Sequence, residues 1–290
     1  MIDAGRFRGK RILVVGDLML DVDIRGRIDR FDAAFPECPV FTETHRESRP
    51  GGAGAVAAMV EVLGGVVQLV AGPASIKTRF LVDGRQAWRH DMDTSGGLTT
   101  DPVHLVSEVD VVLVCDHGKG TLTESLLPEL MATAGRHNVP VLVDPARGRP
   151  WDIYQGATLI KCNEHELAGI APVTVITKGG AGLELWMSTQ STGPEVRQLA
   201  SPTGVKLPQS PLATGAQLRQ GSEVSIVPAR PSRVVDTTGC GDQVLAVLGL
   251  CAAAGIGWLE ACRLAVVAAG LQAERRGAVP VRPDEVRSGV

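Results

Sequence analysis

The sequence carries no excess of positive charge: 29 Lys and Arg stand against 32 Asp and Glu in 290 residues, a net charge of −3 with His neutral. Nucleic acids and anionic membrane surfaces are bound by clustered basic side chains. Here the Lys and Arg are scattered among acids, so no nucleic-acid or membrane partner is expected. The six cysteines, Cys38, Cys115, Cys162, Cys240, Cys251 and Cys262, form no C-x-x-C pair and no Cys/His cluster. Four of them lie in apolar runs, which points to reduced, buried thiols and a cytoplasmic setting. No stretch approaches the roughly 18 apolar residues of a membrane span. Arg6, Arg8, Lys10 and Arg11 ahead of Ile12-Leu13-Val14-Val15 imitate the start of a signal peptide, but Gly16-Asp17 ends the apolar run too early for one. Internal repeats and heptads are absent as well.

What is present is 44% apolar side chains, enough for a sizeable core in one α/β domain, with or without a small appendage. Short apolar runs recur along the chain, and each ends in a polar or glycine-rich turn. Arg11 to Val15 ends at Gly16-Asp17, with Asp21 a helical turn further on. Val109 to Cys115 ends in Asp116-His117-Gly118-Lys119-Gly120, and a helix is expected from Leu122 to His137. Val139 to Val143 ends in Asp144-Pro145, Thr158 to Lys161 at Asn163-Glu164-His165-Glu166, and Val173 to Ile176 in Thr177-Lys178-Gly179-Gly180-Ala181-Gly182. Strands separated by helix-length segments predict a parallel sheet with helices on both faces, whose polar turns collect on one edge.

Two stretches do not fit a parallel sheet. Val22 to Thr44 alternates and is broken by Gly26, Pro36 and Pro39, while Thr78 to His90 carries Asp83-Gly84 between two alternating runs, a strong hairpin signal. Together they predict a small β lid from about 22–46 and 77–91 within a single domain spanning 1–290. Between them, Arg49-Pro50-Gly51-Gly52-Ala53-Gly54 leads into a helix from Val56 to Leu63. This turn is neither a P-loop nor G-x-G-x-x-G, but it would let a ligand approach the backbone. Residues 187–222, rich in Ser, Thr, Pro, Gly and Gln, are expected to form a long flexible loop. Glu223 to Val227 resumes as a strand.

The chain is organised around Val235-Asp236-Thr237-Thr238-Gly239-Cys240-Gly241-Asp242, which is followed by the apolar run Gln243 to Ala254. Glycines bracket a small residue, a carboxylate follows, and a helix starts. Backbone N–H groups at the positive helix end then face one point beside Asp242, an anion hole with a base next to it. The plain alternative is a strand-to-helix turn in which Asp is only a cap.

These pieces, in this order, resemble the ribokinase-type (PfkB) carbohydrate kinases, whose signature is D-T-x-G-x-G-D near the C-terminus. Within them the chain is most similar to the heptose 7-phosphate kinases. The resemblance runs from about Arg11 to Val281 and includes Val15 to Asp21, Pro36 to Val40, Arg49 to Ala53, Lys77 to Arg79, Asp116 to Gly120, Val143 to Pro145, Tyr154 to Leu159, the N-x-x-E of Asn163 and Glu166, and Thr177 to Gly182. It implies a three-layer ribokinase-like fold and transfer of phosphate from ATP to a sugar hydroxyl. Asp242 would be the base, and Gly239, Cys240 and Gly241 the anion hole. Asn163 and Glu166 would organise Mg²⁺ through water, and these two with Thr177, Gly179 and Gly182 would bind nucleotide. Asp17, Asp21, Gly51, Gly52, Lys77, Arg79, Arg89, Asp116 and Lys119 would surround the sugar phosphate. Asp236 and Thr238 sit where many relatives hold a monovalent cation such as K⁺, and the lid implies a homodimer.

The sequence also departs from that pattern. Ala55 stands where the family usually has an Asn that reaches substrate hydroxyls, and Val266 where it often has an Asn near the nucleotide. Ala146, with Arg147 beside it, replaces the Lys of D-P-K. The connections Val70 to Lys77 and Ile170 to Val173 are short, which predicts a smaller sheet. Three readings follow: a heptose 7-phosphate kinase acting at O1, a kinase for another acceptor such as a different sugar, a nucleoside or a vitamin-like alcohol, and a non-catalytic protein that binds nucleotide or sugar.

Overall fold

The computed structural model describes residues 4–164, 166, 171–188, 222–230 and 232–288. Eight strands form the main sheet: β1 (Arg11–Gly16), β4 (Val66–Ala71), β7 (Val111–Cys115), β8 (Val141–Asp144), β9 (Leu159–Asn163), β10 (Val173–Thr177), β11 (Leu183–Ser188) and β12 (Ser222–Val227). Their order across the sheet is β12-β11-β10-β9-β8-β7-β1-β4. Neighbours from β4 to β10 run parallel, and β11 and β12 complete the edge in antiparallel pairing.

The apolar runs are continuous because both faces of the sheet are covered. Alternate residues of β1 enter opposite layers: Ile12 and Val14 pack with α1 (Ala53–Val62), α3 (Cys240–Ala253) and α4 (Trp258–Ala273), while Leu13 and Val15 pack with α2 (Leu126–His137). A short α5 (Pro283–Ser288) closes the described chain. Helices α3 and α4 are apolar nearly all round, which suits helices buried between a sheet and each other.

A second sheet of four strands, β3-β2-β5-β6, is built from β2 (Leu18–Phe31), β3 (Pro39–Gly52), β5 (Ser75–Val82) and β6 (Arg85–Met92). The Asp83-Gly84 turn joins β5 to β6 with φ of 50° and 76°, the left-handed pair that suits a tight hairpin. Phe41, Phe80 and Trp88 cluster on this sheet, with Phe80 and Trp88 stacked at 4.7 Å between centroids.

Several boundaries differ from the expectation. The strands of the second sheet run further toward the main sheet, to Leu18 and Gly52. Helix α2 begins at Leu126 and not at Leu122, whose side chain is fully buried ahead of the helix. Helix α1 begins at Ala53, before Val56, and β7 begins at Val111, after Val109. Strand β11 was not anticipated. Its last residues, Met187 and Ser188, fall in the stretch read as loop because they pair with β12, and Ser222 likewise belongs to β12. The remainder of that loop lies outside the described residues. No described helix is long and apolar enough to cross a membrane.

Candidate functional site

The carboxyl ends of β1, β7, β8, β9 and β10 lie side by side, so Asp17, Asp116, Asp144, Asn163 and Thr177 share one edge. Onto this edge comes the start of α3. Gly239 is its N-cap in the left-handed conformation (φ 81°), with Cys240, Gly241 and Asp242 in the first turn. A Cβ on Gly239 would lie 2.6 Å from that of Ala278, so only glycine brings this turn so close to the following chain.

Asp242 is the acid of that first turn. Burial pushes its carboxyl up to about 7, assisted by Asp144 and Asp21 and opposed by Lys161 and Lys77. A carboxylate tuned to that range is suited to accept a proton near neutral pH. Cys240, whose thiol is pushed up to about 11 by burial, then by Asp236 and Asp242, is no nucleophile, and its Sγ approaches the Ala269 carbonyl at 3.5 Å.

Lys161, outside every motif of the sequence, enters this centre. It lies on β9 and is 6% exposed, and its Nζ donates to Asp144 Oδ2 at 2.6 Å. A Cβ built on Gly241 would sit 3.1 Å from that Nζ, so the ammonium borders the first turn of α3. Burial works against its charge, but Asp144 and Asp242 outweigh it and hold the ammonium above its ordinary value. The signal was present in the sequence: a lysine inside Leu159-Ile160-Lys161-Cys162 is rarely buried without a purpose.

Beside α3 lies a cavity of about 600 Å³, lined among others by Thr177, Gly179, Gly241, Val244, Val266 and Ala273. Gly182 lines it too, but a Cβ there would lie 2.2 Å from the Val227 carbonyl oxygen, so this glycine first serves packing against the chain after β12. Thr177 donates from Oγ1 to the Cys162 carbonyl at 3.3 Å. Val266 gives the wall an apolar patch. Asn163 and Glu166 adjoin this edge, with the Asn163 N–H directed to Glu166 Oε2 at 3.4 Å and Arg147 3.4 Å from Glu166 Oε1.

The acceptor-side residues divide. Asp21, Gly51 and Gly52 meet where β2 and β3 leave the main sheet: a Cβ on Gly51 would be 2.7 Å from Asp21 Oδ2. Lys77 stands opposite Asp21 on β5 and makes no ion pair among the described residues. Arg79 bridges Asp21 at 3.2 Å and Asp23 at 3.3 Å, both within the second sheet. Others are occupied elsewhere. Asp17 is 1% exposed and accepts hydrogen bonds from the N–H groups of His117 (2.7 Å), Lys119 (3.1 Å) and Thr121 (3.3 Å), so it latches the 117–121 turn. Asp116 accepts from Tyr154 Oη at 2.8 Å and Arg149 at 2.7 Å. Arg89 pairs with Asp91 on the exposed strand β6, and Lys119 with Asp93 at 2.7 Å.

Asp236 and Thr238 bond to each other. Asp236 Oδ1 accepts from the Thr238 N–H and Oγ1, at 2.9 and 2.7 Å, and Oδ2 from the Gly277 N–H at 2.9 Å. These bonds brace the turn and still leave lone pairs on Asp236 Oδ2 and Thr238 Oγ1. No described group of three or more His, Cys, Asp or Glu side chains is placed to cage a metal. Asn163 and Glu166 fit Mg²⁺ only in its usual manner, as oxygen donors acting through water beside substrate phosphates.

The sequence model described as pfkB family carbohydrate kinase matches residues 87–285. The Bifunctional protein HldE of Geobacter sulfurreducens is 31% identical over 314 residues, covering 94% of this chain and 61% of that protein. The HldE of Caulobacter sp. is 34% identical over 322 residues, covering 97% and 62%. The chain thus spans less than two thirds of the length of these relatives. Among solved structures, Arabidopsis thaliana ribokinase complexed with ribose and ATP matches with TM-score 0.65 and 16% identity over 97% of this chain and 98% of that one. Escherichia coli phosphofructokinase-2 in complex with fructose-6-phosphate gives 0.65 and 14% over 97% of each chain. At such identities the likeness shows the fold, the ribokinase-like α/β architecture expected from the sequence.

Proposed function

This chain belongs to the pfkB family of carbohydrate kinases, and from that premise we propose that it transfers the terminal phosphoryl group of ATP to a hydroxyl of a sugar phosphate, heptose 7-phosphate at O1 being the acceptor its sequence resemblance favours. One observation carries the reading: at the first turn of α3, Asp242, its carboxyl raised to about 7, and the Lys161 ammonium beside Gly241 stand together next to a cavity of about 600 Å³.

Asp242 takes the proton of the acceptor O–H as that oxygen bonds to the γ-phosphorus. The bond from the γ-phosphorus to the β–γ bridging oxygen breaks, and ADP leaves with the electron pair. The N–H groups of Gly239 and Gly241 and the Lys161 ammonium stabilise charge on the transferred group, the main task in phosphoryl transfer, while the Cys240 N–H, expected to join them, donates to the Thr237 carbonyl at 3.2 Å. Lys161 places a cation at this point where the resemblance to D-P-K has only Ala146. Mg²⁺, associated through water with Asn163 and Glu166, would neutralise the phosphates. Asp21, Gly51, Gly52 and Lys77 face the acceptor, and the second sheet acts as a lid over it.

A second copy of the chain is proposed to cover the lid, where Trp88 is 39% exposed within its aromatic cluster. Light scattering in solution tests this, and a monomer at all concentrations would remove it. For the activity, purified protein is assayed with ATP and Mg²⁺ against a panel of sugars and sugar phosphates, with Asp242→Ala as control. Transfer to heptose 7-phosphate above all others is expected. A preferred acceptor of another kind would replace the acceptor, and a wild-type rate equal to that of Asp242→Ala on every acceptor would overturn the kinase.

A further inference from the structure

Between the lid and the sheet edge stands His117, a side chain to which the reaction above gives no task. Its backbone is fixed: the His117 N–H donates to Asp17 Oδ2 at 2.7 Å, and the next N–H, of Gly118, donates to Asp116 Oδ1 at 2.9 Å. Its ring lies against the glycine turn, since a Cβ built on Gly52 would be 3.3 Å from His117 Cδ2. Yet its Nε2 is buried and makes no hydrogen bond among the described residues. A buried polar atom left unmet costs about 1–3 kcal/mol, so a ring carried on a turn whose backbone two aspartates fix calls for a partner. On the same turn Ala55 is 2% exposed and packs its methyl into the core, so the start of α1 offers no polar side chain there.

We propose that His117 Nε2 binds a hydroxyl of the acceptor sugar and is a specificity-determining contact for it. This rests on the kinase reading for the identity of the ligand class. The charged groups that act on the imidazole are Asp144, Lys161, Lys77 and Asp17, which come from the sheet edge and the lid. Burial holds the ring below its ordinary value, in its neutral form. A neutral imidazole suits a sugar hydroxyl, which can donate or accept and so matches either tautomer. A phosphate would need a donor at every contact, and Lys77 is better placed to supply it.

Calorimetric titration of heptose 7-phosphate and the other sugar phosphates of the panel into Asp242→Asn protein separates binding from turnover. Adding His117→Phe is expected to weaken the best-bound sugar at least about tenfold, to leave ATP binding within twofold, and not to lower the melting temperature. His117→Gln, which restores a polar atom, is expected to recover most of the loss. Sugar binding unchanged by His117→Phe overturns the inference, as does a parent protein that binds no sugar phosphate. Sugar that binds in a His117-dependent way but is never phosphorylated by the wild type removes the kinase reading and leaves this contact standing. Phosphorylation with His117-independent binding does the reverse.

Discussion

Lys161 and Asp144 form a buried pair at 2.6 Å, and the ammonium of that pair also borders Gly241 in the first turn of α3. A carboxylate on one strand thus holds a cation from the next strand at the point where phosphate charge is expected to build.

Replacing Lys161 should therefore injure chemistry more than binding. Lys161→Met is expected to lower kcat by about 100-fold or more, as loss of a charge-stabilising group does, while the KM for acceptor changes little. It also strands Asp144, so a lower melting temperature is expected, and Lys161→Met with Asp144→Asn should recover stability without recovering kcat. A kcat within threefold of wild type would make the pair purely structural.

Asp242→Asn should abolish turnover by at least about 100-fold and yet stabilise the fold at high pH. The folded carboxyl is raised from an ordinary 3.8 to about 7, so its protonated form is the one folding favours. That contribution is complete below the ordinary value and is lost as pH rises through about 7. The substitution removes the loss. Thermal melts at pH 8 should show a gain of no more than about 4 kcal/mol, shrinking toward nothing near pH 4.

The same carboxyl predicts the pH profile. Because the base works only when ionised, kcat/KM should climb from pH 5 to pH 8 with an apparent midpoint near 7 in the free enzyme. A profile flat across that range would argue against Asp242 as the base.

Asp17 offers a contrast. If its task is to latch the 117–121 turn, Asp17→Ala should cost several kcal/mol in denaturant melts, because three backbone N–H groups lose a charged acceptor. A variant as stable as wild type, with only a raised acceptor KM, would return Asp17 to the substrate.

Much of the architecture is legible in the residues. Continuous runs such as Val111-Val112-Leu113-Val114 announce strands covered on both faces, and Asp83-Gly84 announces its hairpin. Strand β11 forms a local hairpin with β10 across residues 178–182, but that glycine-rich turn reads equally as a ligand-binding loop, and its other partner β12 lies across the 189–221 stretch. The same limit applies at the site. Asp17 and Asp116 each look like an acid at a strand end, but their partners His117, Thr121, Arg149 and Tyr154 are set by tertiary neighbours, and Asp17 reaches across about 100 positions. Lys161 and His117 stood in plain view, one inside an apolar run and the other inside a glycine turn. Only their neighbours show what they face.

The lid's attachments have a mechanical consequence. Only Asp17 separates β1 from β2, nothing separates β3 from α1, and residues 72–74 alone join β4 to β5. A fourth crossing, residues 93–102 after β6, is longer, so the lid is moored by three junctions without slack and one tether, and it can rock about the line of those junctions but cannot slide along it. Any closing stroke must therefore carry Asp21 and Lys77 along an arc about the mooring line, beside the turn that presents His117. The reach of that stroke is set first by the stiffness of the three short junctions and only then by the 93–102 tether.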